Sequence, residues 1–425
     1  MPAPLLVLSN GHGEDLIALR VIEALRQRQP DLLPAVLPLV GEGGSFESSA
    51  ARGLVRLLGP RCPLPSGGFS NQSLAGLGQD LLAGLAQLSW QQWRVLQAWC
   101  RSNPGGSVLA IGDVLPLLLA WASGAPYGFI GTPKSDFTWT SPPPRGWRPT
   151  PAADAYHRCK GSEWDPWEWM LMRQRRCRLV AVRDRLTARG LRRRGVPAQA
   201  PGNPMLDHLG SAPPPPAWLR RRRRLLLLPG SRVPECLRNA SRLLEVLVPW
   251  QPTAAATLLI ASTSRPERQE WNQHLCRHGL EPIALGSDAA ALGAHAAWRR
   301  GCLEVLLGYG RFAQWAGWAE VGLANAGTAT EQLAGLGVPV LSLPGPGPQF
   351  TINFARRQSR LLGGAVQPCA GPADLARRLE QLLDDGALRR HLGQRGQRHM
   401  GEAGGGDRLA ALVEERLLLG MMQGF

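Results

Sequence analysis

Two side chains stand where a proton could be moved. Asp113 ends the apolar run Val108-Leu-Ala-Ile-Gly112, and His12 lies in Ser9-Asn10-Gly11-His12-Gly13-Glu14-Asp15, the loop after the apolar run Leu5-Leu-Val-Leu8. In open α/β sheets ligands bind outside the carboxyl ends of the strands, so an acid or an imidazole at such a place is a candidate general base. Each residue also has an ordinary use. Asp113 can cap the helix that begins before Pro116, and His12 can be a turn residue near a helix start. A third candidate is Glu331, one turn into a helix that opens at Thr328 after the turn Asn325-Ala-Gly327. There a ribose is within reach of the carboxylate. Gly327 would let a phosphate approach backbone N–H groups at the positive end of the helix. The same residues, Thr328-Ala-Thr-Glu331, also fit a capping box in which Glu331 only satisfies an N–H.

These side chains need strand tips to hold them, and the hydrophobic pattern supplies strands. Leu5–Leu8, Val108–Gly112, Tyr127–Ile130 and Arg178–Arg183 read as strands of the first half. Leu225–Leu228, Thr257–Ile260, Leu303–Leu307, Val321–Ala324 and Val338–Leu343 do so in the second. Continuous apolar runs of this length, separated by helical periodicity, predict parallel sheets buried on both faces. The first strand, loop and amphipathic helix form a β-α unit, but Leu16 stands where a dinucleotide fingerprint would have its third glycine. Glu14 and Asp15 would repel a diphosphate, so Asn10, Gly11 and Gly13 are expected to wall an acceptor side instead.

Gly327-Thr328-Ala-Thr-Glu331, the small residues to Gly337-Val-Pro339, and Gln349 to Asn353 resemble the nucleotide-sugar segment of two-domain GT-B glycosyltransferases. Among these the chain is most similar to lipid-A-disaccharide synthases, with the peptidoglycan N-acetylglucosaminyltransferases behind them. Leu228-Pro-Gly230-Ser231-Arg232 resembles that family's Leu-Pro-Gly-Ser-Arg loop, and Pro201-Gly-Asn-Pro-Met-Leu-Asp207 its domain-junction element. The resemblance implies an α/β fold of two Rossmann-like domains facing across a cleft. It places the nucleotide sugar against Gly230, Ser231, Arg232, Gly327, Thr328, Glu331, Gln349 and Asn353. It implies that Glu331 holds the ribose of UDP, and that the acid ending the Gly112-Asp113 strand takes the acceptor proton, ahead of His12.

The expected organisation is an acceptor and membrane-side domain over 1–207, a nucleotide-sugar domain over 208–400, and a helix over 401–425 packing back on the first. The expected reaction is metal-independent, inverting transfer from a UDP-sugar to a lipid-linked sugar acceptor, as in lipid A disaccharide synthesis, with no cofactor. Two departures bear on that. The loop Ser9–Asp15 is not the Gly-Glu-x-Ser-Gly-Asp of true lipid-A-disaccharide synthases, and Gly131–Trp139 is altered. A UDP-sugar 2-epimerase of the same fold, or a non-catalytic membrane-associated binding homologue, are the rival readings.

Composition is consistent with such a protein. A chain of 425 residues with 44% hydrophobic content can bury two cores. Its formal charge of +16 is carried by arginine, since Lys134 and Lys160 are the only lysines. Such a charge draws a protein to phosphorylated ligands or anionic membranes. Without a nucleic-acid motif, nucleic acid is not expected as a partner. The eight cysteines are scattered with no C-x-x-C, so neither a zinc site nor a disulfide framework is expected, and the compartment is read as a reducing cytoplasm. His274 and His278 stand four apart but lack a third metal ligand.

Two tryptophan-rich stretches remain open. Asn71 to Cys100, with Trp90, Trp93 and Trp99, reads either as a core helix or as an interfacial one. Between Lys134 and Arg178, tryptophans alternate with arginines, and Asp165–Met172 is expected as a short helix with an aromatic face. That segment is either a solvated insertion or a membrane-contacting surface on the cytoplasmic face of the inner membrane, with a homodimer as a further option.

Overall fold

A computed structural model describes residues 3–41, 43–61, 85–147, 150–209, 213–247, 250, 254–345 and 350–419. The chain divides into two compact units. One comprises Met1–Trp139, Thr150–Asp207 and Glu402–Phe425, the other Thr140–Pro149 and His208–Gly401.

The first unit is built on β1 (Leu5–Ser9), β2 (Ala35–Pro38), β3 (Arg56–Leu57), β4 (Ser107–Gly112), β5 (Tyr127–Gly131), β6 (Cys177–Val182) and β7 (Ala198–Gln199). They form one parallel sheet in the order β3-β2-β1-β4-β5-β6-β7. Because side chains alternate across a strand, each strand feeds two cores. Leu6, Leu8, Val108 and Ala110 point to one face, while Leu5, Val7, Leu109 and Ile111 point to the other. The second face is closed by the helices His12–Arg28 and Gly405–Val413, through Ile17, Val21, Leu409 and Val413. Asp207 clamps the start of that last helix, accepting from the N–H groups of Gly404 (2.5 Å), Gly405 (3.2 Å) and Gly406 (2.7 Å). A side chain at Gly405 would run into the Asn203–Pro204 backbone at 2.6–2.7 Å, so the contact requires glycine there.

The second unit holds β8 (Arg223–Leu228), β9 (Ala256–Ser262), β10 (Glu281–Ile283), β11 (Ala296–Arg300), β12 (Leu303–Tyr309), β13 (Val321–Ala324), β14 (Val340–Ser342) and β15 (Val366–Pro368). Their order is β10-β11-β12-β9-β8-β13-β14-β15. All pairs are parallel except the β10–β11–β12 meander. Leu225, Leu227, Leu258, Ile260, Val321 and Leu323 share one core with the helices Glu235–Leu247 and Pro372–Asp384. Arg222, just before β8, and Arg223 and Arg224, which open it, are drawn into ion pairs. Arg222 reaches Glu304 (3.3 Å), and Arg223 and Arg224 share Glu320 (3.7 and 3.8 Å).

Candidate functional site

In each sheet the strand order reverses once, and at such a switch point two neighbouring loops diverge and leave a crevice at the strand tips. In the first unit the reversal falls between β1 and β4, so the loops after Ser9 and Gly112 flank the crevice. Gly11 turns the chain at φ 124° and His12 opens the helix His12–Arg28, with Gly13 and Glu14 in its first turn. Gly112 sits at φ 134°. A Cβ there would meet Asn10 Cβ at 2.9 Å and Glu14 Cγ at 3.3 Å, so glycine is what lets the two loops close up.

Asn10 Nδ2 donates to Asp113 Oδ1 at 2.8 Å. The same carboxylate oxygen accepts from Leu115 N at 3.2 Å, which makes Asp113 the cap of the helix Val114–Ala122. The capping role and a place in the crevice therefore coincide in one residue. Asn10 Oδ1 is buried and has no hydrogen-bond partner, an acceptor that a ligand hydroxyl could satisfy.

The sequence reading treats Glu14 only as a repulsive charge, and the structure gives it more. Its carboxylate accepts from Thr132 Oγ1 at 3.2 Å, just past the tip of β5. Burial, with the nearby Asp113 charge adding to it, pushes Glu14 up to about 7, against the hydrogen bonds from a backbone amide and Thr132 that pull the other way. Asp15, 2% exposed and accepting from Ser9 Oγ at 2.6 Å, is raised by burial to about 6. Two carboxylates from adjacent loops, one of them changing charge near neutrality, can take up and release a proton.

In the second unit the reversal falls between β8 and β13. Asn325 fastens the two tips and the next one. Its N–H donates to Leu228 O (3.0 Å), its Nδ2 to Leu343 O (3.0 Å), and its Oδ1 accepts from Leu343 N (2.9 Å). This brings Pro229-Gly230-Ser231-Arg232 beside Ala326-Gly327-Thr328. Gly230 turns at φ 107°, a conformation L side chains rarely adopt. Asn239 holds the loop through Pro229 O at 2.9 Å. Ser231 is exposed, whereas Arg232 is half-buried and its guanidinium is shifted down by burial.

Gly327 itself is the cap residue of the helix Thr328–Gly335, and no side chain caps that helix. Glu331 is thus its fourth residue, and the capping box that the sequence suggests does not form, because the chain turns one residue earlier than the box requires. Thr330 Oγ1 bonds back to Ala326 O (2.7 Å), and Gln358 Nε2 donates to Ala326 O and Gly327 O (3.3 and 3.2 Å). Gln358 belongs to the helix Ile352–Leu361, capped by Thr351, which carries Asn353 exposed in its first turn. Gln349 lies outside the described residues.

The tryptophans separate into two groups. Trp164 and Trp169 are in the core, 0% and 7% exposed. Lys134 lies over the Trp164 ring and pairs with the fully buried Glu168 at 2.6 Å. On the surface, the packed helices Val114–Ala122 and Pro166–Met172 expose Leu118, Trp121, Trp167 and Met170, beside exposed Arg173 and Arg175. In the helix Leu85–Ser102, Trp93 and Trp99 pack on the core and Trp90 is exposed, while 71–84 lie outside the described residues. Among the described residues no helix is long and apolar enough to cross a membrane, and no cluster of His, Cys, Asp or Glu could hold a metal ion.

No protein-family model matches the sequence, and no curated protein matches it either. Solved structures do match over nearly the whole chain. The calicheamicin glycosyltransferase CalG4 aligns with TM-score 0.59 at 14% identity, covering 99% of both chains. MnaA of S. aureus, solved with UDP, aligns with TM-score 0.58 at 13% identity, covering 98% of this chain and 96% of its own. MurG of Acinetobacter baumannii aligns with TM-score 0.53 at 13% identity, covering 97% and 100%. Two largely parallel α/β sheets, each with one switch point, in a chain that superposes end to end on such proteins, are the GT-B fold.

Proposed function

We propose that the chain is a UDP-sugar-dependent glycosyltransferase acting on a lipid-linked sugar at a membrane surface. The observation that carries the reading is the turn Asn325–Gly327 at the second unit's switch point. It puts an uncapped helix start, the carboxylate of Glu331 and the Arg232 loop at one set of strand tips. A helix terminus contributes about 0.3–2 kcal/mol toward an anion. Stabilising a departing UDP without a metal therefore calls on Arg232 as well, whose planar fork suits phosphate oxygens. The acceptor hydroxyl attacks the anomeric carbon, the bond from that carbon to the diphosphate oxygen breaks with inversion and UDP leaves, and a carboxylate takes the hydroxyl proton. Asp113 is the base expected from sequence, and Glu14, titrating near 7, shares that duty. Ser231, Thr328, Gln349 and Asn353 complete the donor side in this reading, and Asn10, Gly11, Gly13 and His12 the acceptor side. The apolar surface of Trp121, Trp167 and Met170 beside exposed arginines supports the membrane part.

A UDP-sugar 2-epimerase is the second reading, favoured by two carboxylates, Glu14 and Asp113, close enough that the charge of one raises the other, and predicting turnover of a free UDP-sugar. Titration with a panel of UDP-sugars, followed by lipid-extract acceptors, separates the two. Glu331→Ala should weaken UDP binding more than it lowers the melting temperature, because the Thr328–Glu331 capping box does not form. Equal loss of both would reduce Glu331 to a structural part.

A further inference from the structure

Strand β15 is the free edge of the second unit's sheet. Beside it lies a cavity of about 280 Å³, walled by Arg145, Arg377, Arg378 and Arg395 and floored by Leu388 and Leu392. We propose that this cavity is a second anion site, which takes the phosphate group of a phosphorylated ligand on Arg145 and Arg395. The charge balance is the first argument. Arg377 and Arg378 both pair with Asp374, at 2.5 and 3.0 Å, so one carboxylate already serves two guanidiniums. Arg145 and Arg395 have no carboxylate partner among the described residues. A guanidinium pair left open around a concavity matches a phosphate by parallel N–H···O bonds.

The second argument is that the walls are built rather than incidental. Arg378 is held by both Asp374 oxygens (3.0 Å each) and by Gln367 Oε1 (3.4 Å), and it donates to Arg145 O (3.5 Å). The proline segment that carries Arg145 is pinned at one end by Arg360, 5% exposed, donating to Ser141 O at 2.8 Å. At its other end Arg356 lies over the Trp147 ring at 5.7 Å. The apolar floor gives the body of the ligand a place that water does not favour. At this size the occupant is a phosphate with a small organic body, supplied either free in solution or as a lipid headgroup.

The test compares the full chain with the double variant Arg145→Gln, Arg395→Gln in two arms. One is calorimetric titration with inorganic phosphate at fixed ionic strength in chloride. The other is binding to phosphatidylglycerol vesicles. Charged hydrogen bonds of this kind imply that the double variant binds about ten-fold or more weakly, while UDP affinity and melting temperature stay at wild-type values. Saturable phosphate binding that the variant loses upholds the site and assigns a free phosphate ester. Loss seen only toward vesicles upholds it and assigns a headgroup. Binding that is the same in wild type and variant in both arms overturns it, whatever becomes of the nucleotide site.

Discussion

Glu14→Gln tests the first unit's crevice most directly, because it should move stability and activity in opposite directions. Glutamine keeps the shape and the oxygen that accepts from Thr132 Oγ1, and removes only the charge. In the folded chain Glu14 titrates at about 7 against an ordinary value of 4.5. The folded state therefore holds a proton that the unfolded chain has released, and its stability falls as pH rises from 4.5 through 7. At about 1.4 kcal/mol per pH unit, the whole effect is on the order of 3 kcal/mol, present below pH 4.5 and gone above pH 7. Asp15 and Asp136, each raised to about 6 by burial, add a similar slope that the variant shares. Thermal unfolding of both proteins at pH 5 and pH 8 isolates the Glu14 part. The variant should melt several degrees above wild type at pH 8, at roughly 2–4 °C per kcal/mol, and near it at pH 5. The rate with a UDP-sugar donor should fall by about 10²-fold or more if Glu14 takes the acceptor proton. Parallel melting profiles would refute the half-buried, titrating carboxylate, and a fully active variant would remove it from the proton path.

Asp113→Asn should leave melting almost unchanged, since asparagine caps helices as well as aspartate. It should lower turnover by about 10²–10⁴-fold with UDP affinity intact, and turnover close to wild type would reject Asp113 as a base. Asp207→Ala removes three hydrogen bonds from the Gly404–Gly406 amides. Loss of charge-assisted bonds predicts destabilisation of about 2–3 kcal/mol by denaturant unfolding, and a cost below half a kcal/mol would show that the C-terminal helix docks without this clamp. Trp167→Ala with Met170→Ala should weaken binding to anionic vesicles, each apolar side chain contributing about 1.5–3 kcal/mol. The residual arginine attraction should fade with salt, and vesicle binding untouched by the pair would move the membrane contact elsewhere.

The local parts of this protein were legible in its residues. Runs such as Leu5–Leu8 and Val321–Ala324 appear as strands because a continuously apolar stretch of that length can only be buried on both faces. Asp184, directly after the strand run Arg178–Arg183, caps the helix Arg185–Arg193 by accepting from Thr187 N. Of the β10–β11–β12 meander only β12 was read, as the run Leu303–Leu307, while β10 and β11 escaped. The edge strand Glu281–Ile283 is short and mostly exposed, and β11 (Ala296–Arg300) ends in two arginines, so neither shows a continuous apolar run. The resemblance of the Gly327 and Arg232 segments pointed to both loops, but their adjacency is a property of strand order, which puts β8 against β13 across nearly a hundred residues of chain. Tertiary structure alone decided that the Thr328–Glu331 box does not close, and which tryptophans are core and which are surface. It also decided that Glu14 lies against Thr132, half-buried in a crevice near Asp113. A carboxylate's proton affinity depends on how much water and which charges surround it, and in this chain those surroundings come from segments about a hundred residues away.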